Sequence, residues 1–136
     1  MKYFLTGIFI FLFSAHIFAI FTSAYLSFWW FDNSLHFIGG AWLALFSLWA
    51  VFDSGKLNAP NWPFFAIIIM AMSFAVFVGV LWEIFEFIFD KIIGYRNAAY
   101  MAQFGLRDTM SDLFFDLLGA LTASICFQKL KRRNRL

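Results

Sequence analysis

Carboxylic acids recur at helical spacing inside two otherwise apolar stretches of the chain. Six of them stand three or four residues apart within their stretch: Glu83, Glu86, Asp90, Asp108, Asp112 and Asp116. Because an α-helix turns by about 100° per residue, this spacing places the acids of each stretch on one helix face. Carboxylates gathered in this way can bind a divalent cation, share protons or pair with basic groups.

An ionised acid inside a bilayer carries a cost of at least about 2.5 kcal/mol, even on the scale derived from membrane insertion. Three arrangements offset such a cost: protonation of the acids, neutralisation by His36, Arg96 or Arg107, and binding of a cation. Several carboxylates together with one histidine favour a cation, alone or combined with basic partners. Asp90 and Asp108 stand at the segment ends, where location in the headgroup layer is an equal alternative.

The predicted metal ligands are one histidine and four acids: His36, Glu83, Glu86, Asp112 and Asp116. Among them, Glu83, Glu86 and Asp112 are also the candidate catalytic residues. Oxygen-rich ligation suits Mg²⁺, Mn²⁺ or Ca²⁺, and a histidine among carboxylates also permits Zn²⁺ or Fe²⁺. The candidate substrate-binding residues are Arg107, Arg96 and Asp108, since the two arginines would attract a phosphate-bearing headgroup.

The composition places these acids in a membrane protein. Of the 136 residues, 63% are hydrophobic and 13% are charged, whereas soluble domains are about 45–50% apolar and about 25% charged. A net charge of +2 argues against a nucleic-acid binder, which needs a strongly basic face. The composition therefore predicts an all-α integral membrane protein whose main partner is the lipid bilayer.

Four stretches are long enough to cross a bilayer, which takes about 20 apolar residues per helix. They predict a single domain, 1–136, with a bundle of four transmembrane helices at 3–30, 34–52, 64–89 and 109–127, followed by a basic tail at 128–136. The first stretch is too long for a signal peptide, so we expect a retained helix. Segment 91–107 mixes polar and apolar residues and is a candidate for a short interfacial helix between helices three and four.

Basic residues predict the orientation of these helices. Seven lie on one side of a four-span chain, namely Lys2, Lys56, Lys129, Lys131, Arg132, Arg133 and Arg135, against Lys91, Arg96 and Arg107 on the other. The positive-inside rule then places both termini in the cytoplasm, with the chain in the inner membrane and most acids near its outer face. The tail from Lys129 to Arg135 is interpreted as a topology anchor, with contact to anionic lipid as the functional alternative.

Small and polar residues suggest how the acidic faces meet. A stripe on the second helix contains Asp32, His36, Gly40, Ala44 and Ser47, while Gly79 and Met72 continue the acidic face of helix three and Gly119 that of helix four. Small residues let membrane helices approach closely, so we predict that these three faces pack against one another. His16, by contrast, is interpreted as a hydrogen-bonded packing residue of helix one.

Several of these motifs resemble a known family. They are the run Asp108-Thr109-Met110-Ser111-Asp112-Leu113 with Gly119-Ala120-Leu121, the run Trp82-Glu83-Ile84-Phe85-Glu86-Phe87, and Asp32 with Leu35-His36-Phe37 and Gly40. Together they resemble the YjdF-type family of small bacterial inner-membrane proteins and, more distantly, VanZ-like proteins. The chain matches the VanZ-like pattern at His36, Glu83, Arg107, Asp112 and Gly119. It differs from that pattern at Asn33, Glu86 and Asp116. The resemblance implies a polytopic membrane protein whose polar motif residues belong together, and it implies no reaction.

Three functions follow from this reading as alternatives. The first is a divalent-cation-dependent enzyme, whose ion would activate water against a lipid or phosphate-bearing headgroup. The second is a small proton- or cation-coupled transporter, which would require a homodimer because four helices leave little room for an alternating path. The third is a non-catalytic accessory subunit whose polar stripes pair with another membrane protein.

Overall fold

The computed structural model describes residues 1–55, 61–93 and 101–133. Its helices are α1 (Lys2–Thr22), α2 (Ala24–Ser27), α3 (Phe31–Leu48), α4 (Phe64–Ile92) and α5 (Leu106–Arg133). A widened π-helical turn, Trp49–Asp53, continues α3, and the described ranges contain no strand. Four helices are long and apolar enough to cross a membrane: α1, α3 with its π-helical turn, α4 and α5. The predicted all-α membrane fold with four spanning helices is thereby confirmed.

The first helix is shorter than the predicted 3–30. Helix α1 ends at Thr22, because Ser23 adopts a left-handed backbone conformation with φ of 54°, which residues other than glycine rarely adopt. The short helix α2 then packs Tyr25 back against Ala19 of α1. This packing between neighbouring turns accompanies the break, which the prediction of one continuous helix missed.

The second membrane helix begins earlier than the predicted residue 34. The chain turns at Phe28, which is extended, and α3 starts at Phe31. Residues 32–34, predicted as a polar break, therefore form the first turn of α3, where the backbone carbonyl of Trp30 accepts hydrogen bonds from both the amide and the hydroxyl of Ser34. Asp32 becomes a buried helix residue, at the end of the helix whose dipole stabilises a negative charge.

The later helices are longer than predicted. Helix α4 continues past residue 89 to Ile92, and α5 starts at Leu106 rather than at 109. The predicted tail at 128–136 is helical up to Arg133, where Lys131 pairs with Asp53 at 3.1 Å. Residues 101–105 of the candidate interfacial segment are not helical, while residues 94–100 and Lys56 lie outside the described residues, as do residues 134–136.

Helices α3, α4 and α5 pack against one another and bury the predicted faces. On α3 the predicted stripe is confirmed, since all five members are buried: Asp32, His36, Gly40, Ala44 and Ser47. On α4 the buried face contains Ala71, Ala75, Gly79, Glu83 and Glu86. Met72 and Asp90, which we predicted on this face, are only half-buried. The buried face starts at Ala71 and continues at intervals of four residues, so that Met72 lies beside it.

Two glycines bring α3 and α5 into backbone contact. A Cβ atom on Gly40 would overlap the backbone carbonyl of Asp116, and one on Gly119 would overlap the carbonyl of Phe37. Such close packing of small residues is typical of helix association in membranes. Lipid tails are as apolar as the side chains, so the hydrophobic effect does not drive helices together there. The two backbones therefore set the position of every side chain between these helices.

Helix α1 lies at the periphery of the bundle. Only Leu5, His16 and Ala19 of this helix are buried, and most of its phenylalanines are exposed. Its Leu5 carbonyl accepts a hydrogen bond from the indole of Trp42 on α3, at 2.7 Å. Helix α1 is thus attached near both of its ends and presents most of its surface to the lipid.

We predict that Gly40→Ala destabilises the bundle by about 1–3 kcal/mol, the usual cost of overpacking a tight contact. The matched control is Gly7→Ala on α1, where a Cβ atom meets nothing within 4 Å. Thermal unfolding of the detergent-purified proteins should show a lowered melting temperature for Gly40→Ala alone. Equal melting temperatures for the two variants would contradict the backbone contact.

Candidate metal centre

Six ionisable side chains meet where α3 and α5 begin and the second half of α4 packs beside them. We call them the acid–histidine cluster: Asp32, His36, Glu83, Glu86, Asp112 and Asp116. All six are buried, and the exposed fraction of the side chain falls to 2% for Glu86 and 1% for Asp112. The structure therefore brings together all five residues predicted as metal ligands. It adds Asp32, which the sequence placed on the same helix stripe but not among the ligands, although its position four residues before His36 was a usable signal.

The imidazole of His36 lies at the centre of the cluster. Its Nε2 atom is 3.7 Å from Oδ1 of Asp32 and 3.7 Å from Oε1 of Glu83. Its Nδ1 atom is 3.3 Å from Oδ2 of Asp116. Both ring nitrogens therefore face carboxylates, but on opposite sides of the ring.

Two groups of three residues have the spacing that a metal ion needs. One ligand atom from each of Asp32, His36 and Asp112 lies within 4.8 Å of the others, and the same holds for His36, Glu83 and Glu86. Ligand atoms about 2.0–2.5 Å from a shared ion cannot be more than about 5 Å apart. These buried acidic and histidine groups could hold a metal ion, and His36 belongs to both groups.

Four buried carboxylate oxygens accept no hydrogen bond from any described residue: Asp32 Oδ2, Glu83 Oε1, Glu86 Oε1 and Asp112 Oδ1. Buried polar atoms in proteins nearly always have a partner, and each one left without costs about 1–3 kcal/mol. Each of the four oxygens belongs to a residue of one of the two candidate ligand groups. A cation held by either group could contact the acids of that group, so metal binding is one way to satisfy these oxygens.

Asp116 differs from the other acids because the structure encloses its carboxylate. Its Oδ2 atom lies at hydrogen-bond distance from His36 Nδ1 and so close to Gly79 that a Cβ atom there would overlap it. Helix α3 contacts its backbone through Gly40. Asp116 is thus fixed between two glycines and can hold the Nδ1 side of the imidazole, which leaves Nε2 facing Asp32 and Glu83.

The segment after α4 folds back towards the cluster. The side-chain amide of Gln103 donates hydrogen bonds to Glu83 Oε2, at 3.2 Å, and to the hydroxyl of Thr109, at 3.0 Å. Asp90 accepts hydrogen bonds from the backbone amides of Ala102 and Gln103, both at 2.9 Å. Sequence reasoning missed Gln103, because no helical spacing links this residue of the connector to the acids. Thr109 was named only within the family motif, with no role assigned to it.

Two of the predicted substrate-binding residues, Asp108 and Arg107, are not part of the cluster. Asp108 is half-buried, and its Oδ2 atom accepts a hydrogen bond from the backbone amide of Phe104 at 2.8 Å. Arg107 is exposed and forms no salt bridge with any residue that the structure describes. Arg96 lies outside the described residues.

A second polar pair lies close to the cluster. His16 Nδ1 and the hydroxyl of Tyr25 form a hydrogen bond of 2.6 Å, and the His16 ring packs edge-on against Trp82. The predicted role of His16 as a hydrogen-bonded packing residue is therefore confirmed. Burial, together with the carboxylate of Asp32, raises the pKa of the Tyr25 hydroxyl, which stays protonated near neutral pH.

The chain has recognisable relatives. Residues 1–133 match the family described as "Predicted membrane protein (DUF2238)". A protein of Thermotoga maritima, described as "Uncharacterized protein", is 40% identical over 105 residues, which cover 75% of this chain and 50% of the relative. The chain thus spans about half the length of that relative. No solved structure gives a significant match.

We predict that Asp112→Asn stabilises the protein when divalent ions are removed by a chelator. The substitution takes one buried charge out of a group of like charges, which removes its desolvation cost and part of the mutual repulsion. The control is Asp53→Asn, which removes an exposed pair with Lys131 and should change little. Thermal unfolding in chelator measures both variants, and a lower melting temperature for Asp112→Asn would refute the prediction.

Proposed function

The chain belongs to the DUF2238 family of membrane proteins, and we propose that it is a divalent-cation-dependent enzyme acting on a phosphate-bearing headgroup. The observation that carries the proposal is the set of four buried carboxylate oxygens without hydrogen-bond donors around His36. Burial of this kind is costly in a membrane and is typical of functional sites. The fit of two three-residue ligand groups to metal-ligand spacing supports a cation as their partner.

Each residue of the cluster has a role in this proposal. Nε2 of His36 is a ligand, because the carboxylate of Asp116 holds the opposite nitrogen, an arrangement that is usual for metal-bound histidines. Gln103 donates to Oε2 of Glu83, which leaves Oε1 free for the ion. Glu86, Asp112 and Asp32 supply further oxygens, and Asp116 is a positioning residue rather than a ligand.

The donor set favours a hard cation. Carboxylate oxygens outnumber the one imidazole, which suits Mg²⁺ or Mn²⁺ and also accommodates Ca²⁺ or Zn²⁺. When bound, such an ion polarises a phosphoryl oxygen and activates a water molecule as a nucleophile. Glu86 and Asp112 are the acids that would accept the proton of this water, since each has an oxygen without a hydrogen-bond partner among the described residues.

We expect the purified full chain to bind Mn²⁺, and Glu86→Gln to weaken binding by at least about tenfold through the loss of one ligand. Affinity should fall as the pH is lowered, because the ligands must lose their protons to bind metal. Isothermal titration calorimetry with Mn²⁺ measures both effects, with Asp53→Asn as a control at the other end of the bundle. No measurable Mn²⁺ binding by the wild type would overturn the proposal.

The same titration tests the positioning role of Asp116. Removing the partner of a metal-bound histidine typically costs about 10–100-fold in metal affinity or activity. Asp116→Asn should therefore weaken Mn²⁺ binding to that extent, and electron paramagnetic resonance should show Mn²⁺ still bound at saturating concentration. A complete loss of binding would instead make Asp116 a ligand, as the sequence predicted.

Catalysis is tested in proteoliposomes that contain phosphatidic acid. We expect Mn²⁺-dependent release of inorganic phosphate by the wild type and none by Asp112→Asn. A Mn²⁺ flux across the same vesicles without phosphate release would replace the enzyme by the transporter considered above. The orientation with both termini in the cytoplasm of the inner membrane stays a prediction from the basic residues.

A further inference from the structure

A cavity of about 210 Å³ lies beside the acid–histidine cluster, between α1, α3 and α4. Apolar side chains form most of its wall: Phe9, Leu12, Phe13, Leu35, Leu43 and Val78. Asp32, His36 and Asp116 also line it. The cavity therefore joins a hydrocarbon-like compartment to the proposed metal centre.

The polar and apolar parts follow one another along the helices. On α3 the lining residues extend from Asp32 to Leu43, which at about 1.5 Å per residue is about 16 Å. On α1 they run from His16 back to Phe9, in the same direction along the bundle. A ligand that fits this shape is elongated, apolar for most of its length and polar at one end.

The volume matches part of a lipid rather than a whole molecule. Pockets that enclose a complete drug-sized ligand measure about 300–1,000 Å³, whereas a purely apolar cavity of about 150 Å³ already accommodates a benzene molecule. At about 210 Å³, the cavity can hold a segment of hydrocarbon chain. The cavity is partly open to its surroundings between these helices, so a hydrocarbon chain can enter it from the bilayer.

The peripheral position of α1 places the cavity next to the lipid of the bilayer. This helix is attached near its two ends, through Leu5 to Trp42 and through His16 to Tyr25. Between these attachments, Phe9, Leu12 and Phe13 line the cavity, and Phe9 and Phe13 are also exposed on the outside of the bundle. The part of the cavity wall that α1 forms therefore borders the surrounding bilayer.

We propose that the cavity binds the hydrocarbon chain of a phosphate-bearing membrane lipid and so places its headgroup at the acid–histidine cluster. The assignment of the headgroup rests on the proposed function, while the chain site rests on the cavity alone. Gly39 offers a specific way to close this site, because it lines the cavity and a Cβ atom there would have only Asp116 Oδ1 near it, at 4.0 Å.

Photo-crosslinking in lipid nanodiscs tests the proposal on the full chain. The probe is phosphatidic acid with a diazirine midway along one acyl chain, and crosslinked residues are identified by peptide mass spectrometry. In the wild type we expect labelling of Leu43 and Val78, which line the cavity and are half-buried. Gly39→Leu should reduce it by about an order of magnitude, because the added side chain occupies the same volume.

Two controls separate closure of the cavity from general damage. Gly7→Leu adds the same side chain at an exposed glycine with nothing within 4 Å, and it should label as the wild type does. Phe77, which is 62% exposed on α4, reports contact with bulk lipid and should be labelled equally in every variant. If Gly39→Leu unfolds, Leu12→Trp closes the cavity from the α1 side.

Equal labelling of Leu43 and Val78 in the wild type and in the folded cavity variant would overturn the proposal, as would labelling confined to exposed residues such as Phe77. A wild type that binds Mn²⁺ without cavity labelling would refute the chain site and leave the proposed function standing. Cavity labelling without Mn²⁺ binding would do the reverse. Mn²⁺ should increase labelling by phosphatidic acid but not by a phosphate-free diacylglycerol probe, and an equal response would refute the headgroup assignment.

Discussion

The backbones of α3 and α5 touch at Gly40 and Gly119, and the arrangement of the acid–histidine cluster depends on this contact. Because Gly40 has no side chain, the backbone of Asp116 reaches α3 and its carboxylate meets both His36 and Gly79 of α4. Asp116 thereby joins three helices at one point. The other acids converge on His36 because these helices cannot move apart without opening that junction.

The cluster is unfavourable for the stability of the bundle. Glu86 and Asp112 are almost completely buried, yet each has an oxygen without a donor among the described residues. Burying unpaired polar atoms opposes folding, and the small residues around Ala44, Ala75 and Ala120 provide the close packing that offsets it. Strain of this kind at a site, compensated elsewhere, is typical of functional residues.

Helix α1 lies between the cluster and the surrounding membrane. Its His16 meets Tyr25 beside Asp32, while its middle turns form the wall of the cavity. The proposed metal centre and the proposed chain site therefore share one boundary, formed by Asp32, His36 and Asp116. A lipid bound there would have its polar end at the cation and its chain among the phenylalanines of α1.

The sequence by itself determined the class of the fold and most of the cluster. Scarcity of charge and four long apolar runs predicted four membrane helices, and helical spacing predicted that the acids of α4 and α5 lie on faces that pack against the small and polar stripe of α3. Helical spacing is a local property, so it could be read from the residues alone. The sequence placed Asp32 on the stripe of α3, and only the tertiary structure brought it together with Asp112 of α5. Gln103 likewise depends on its contact with Glu83, which is distant in the chain. The break at Ser23 is a local turn inside a long apolar run. The cavity likewise could not be predicted from the sequence. It forms where α1, α3 and α4 meet, and no sequence pattern links the residues that line it.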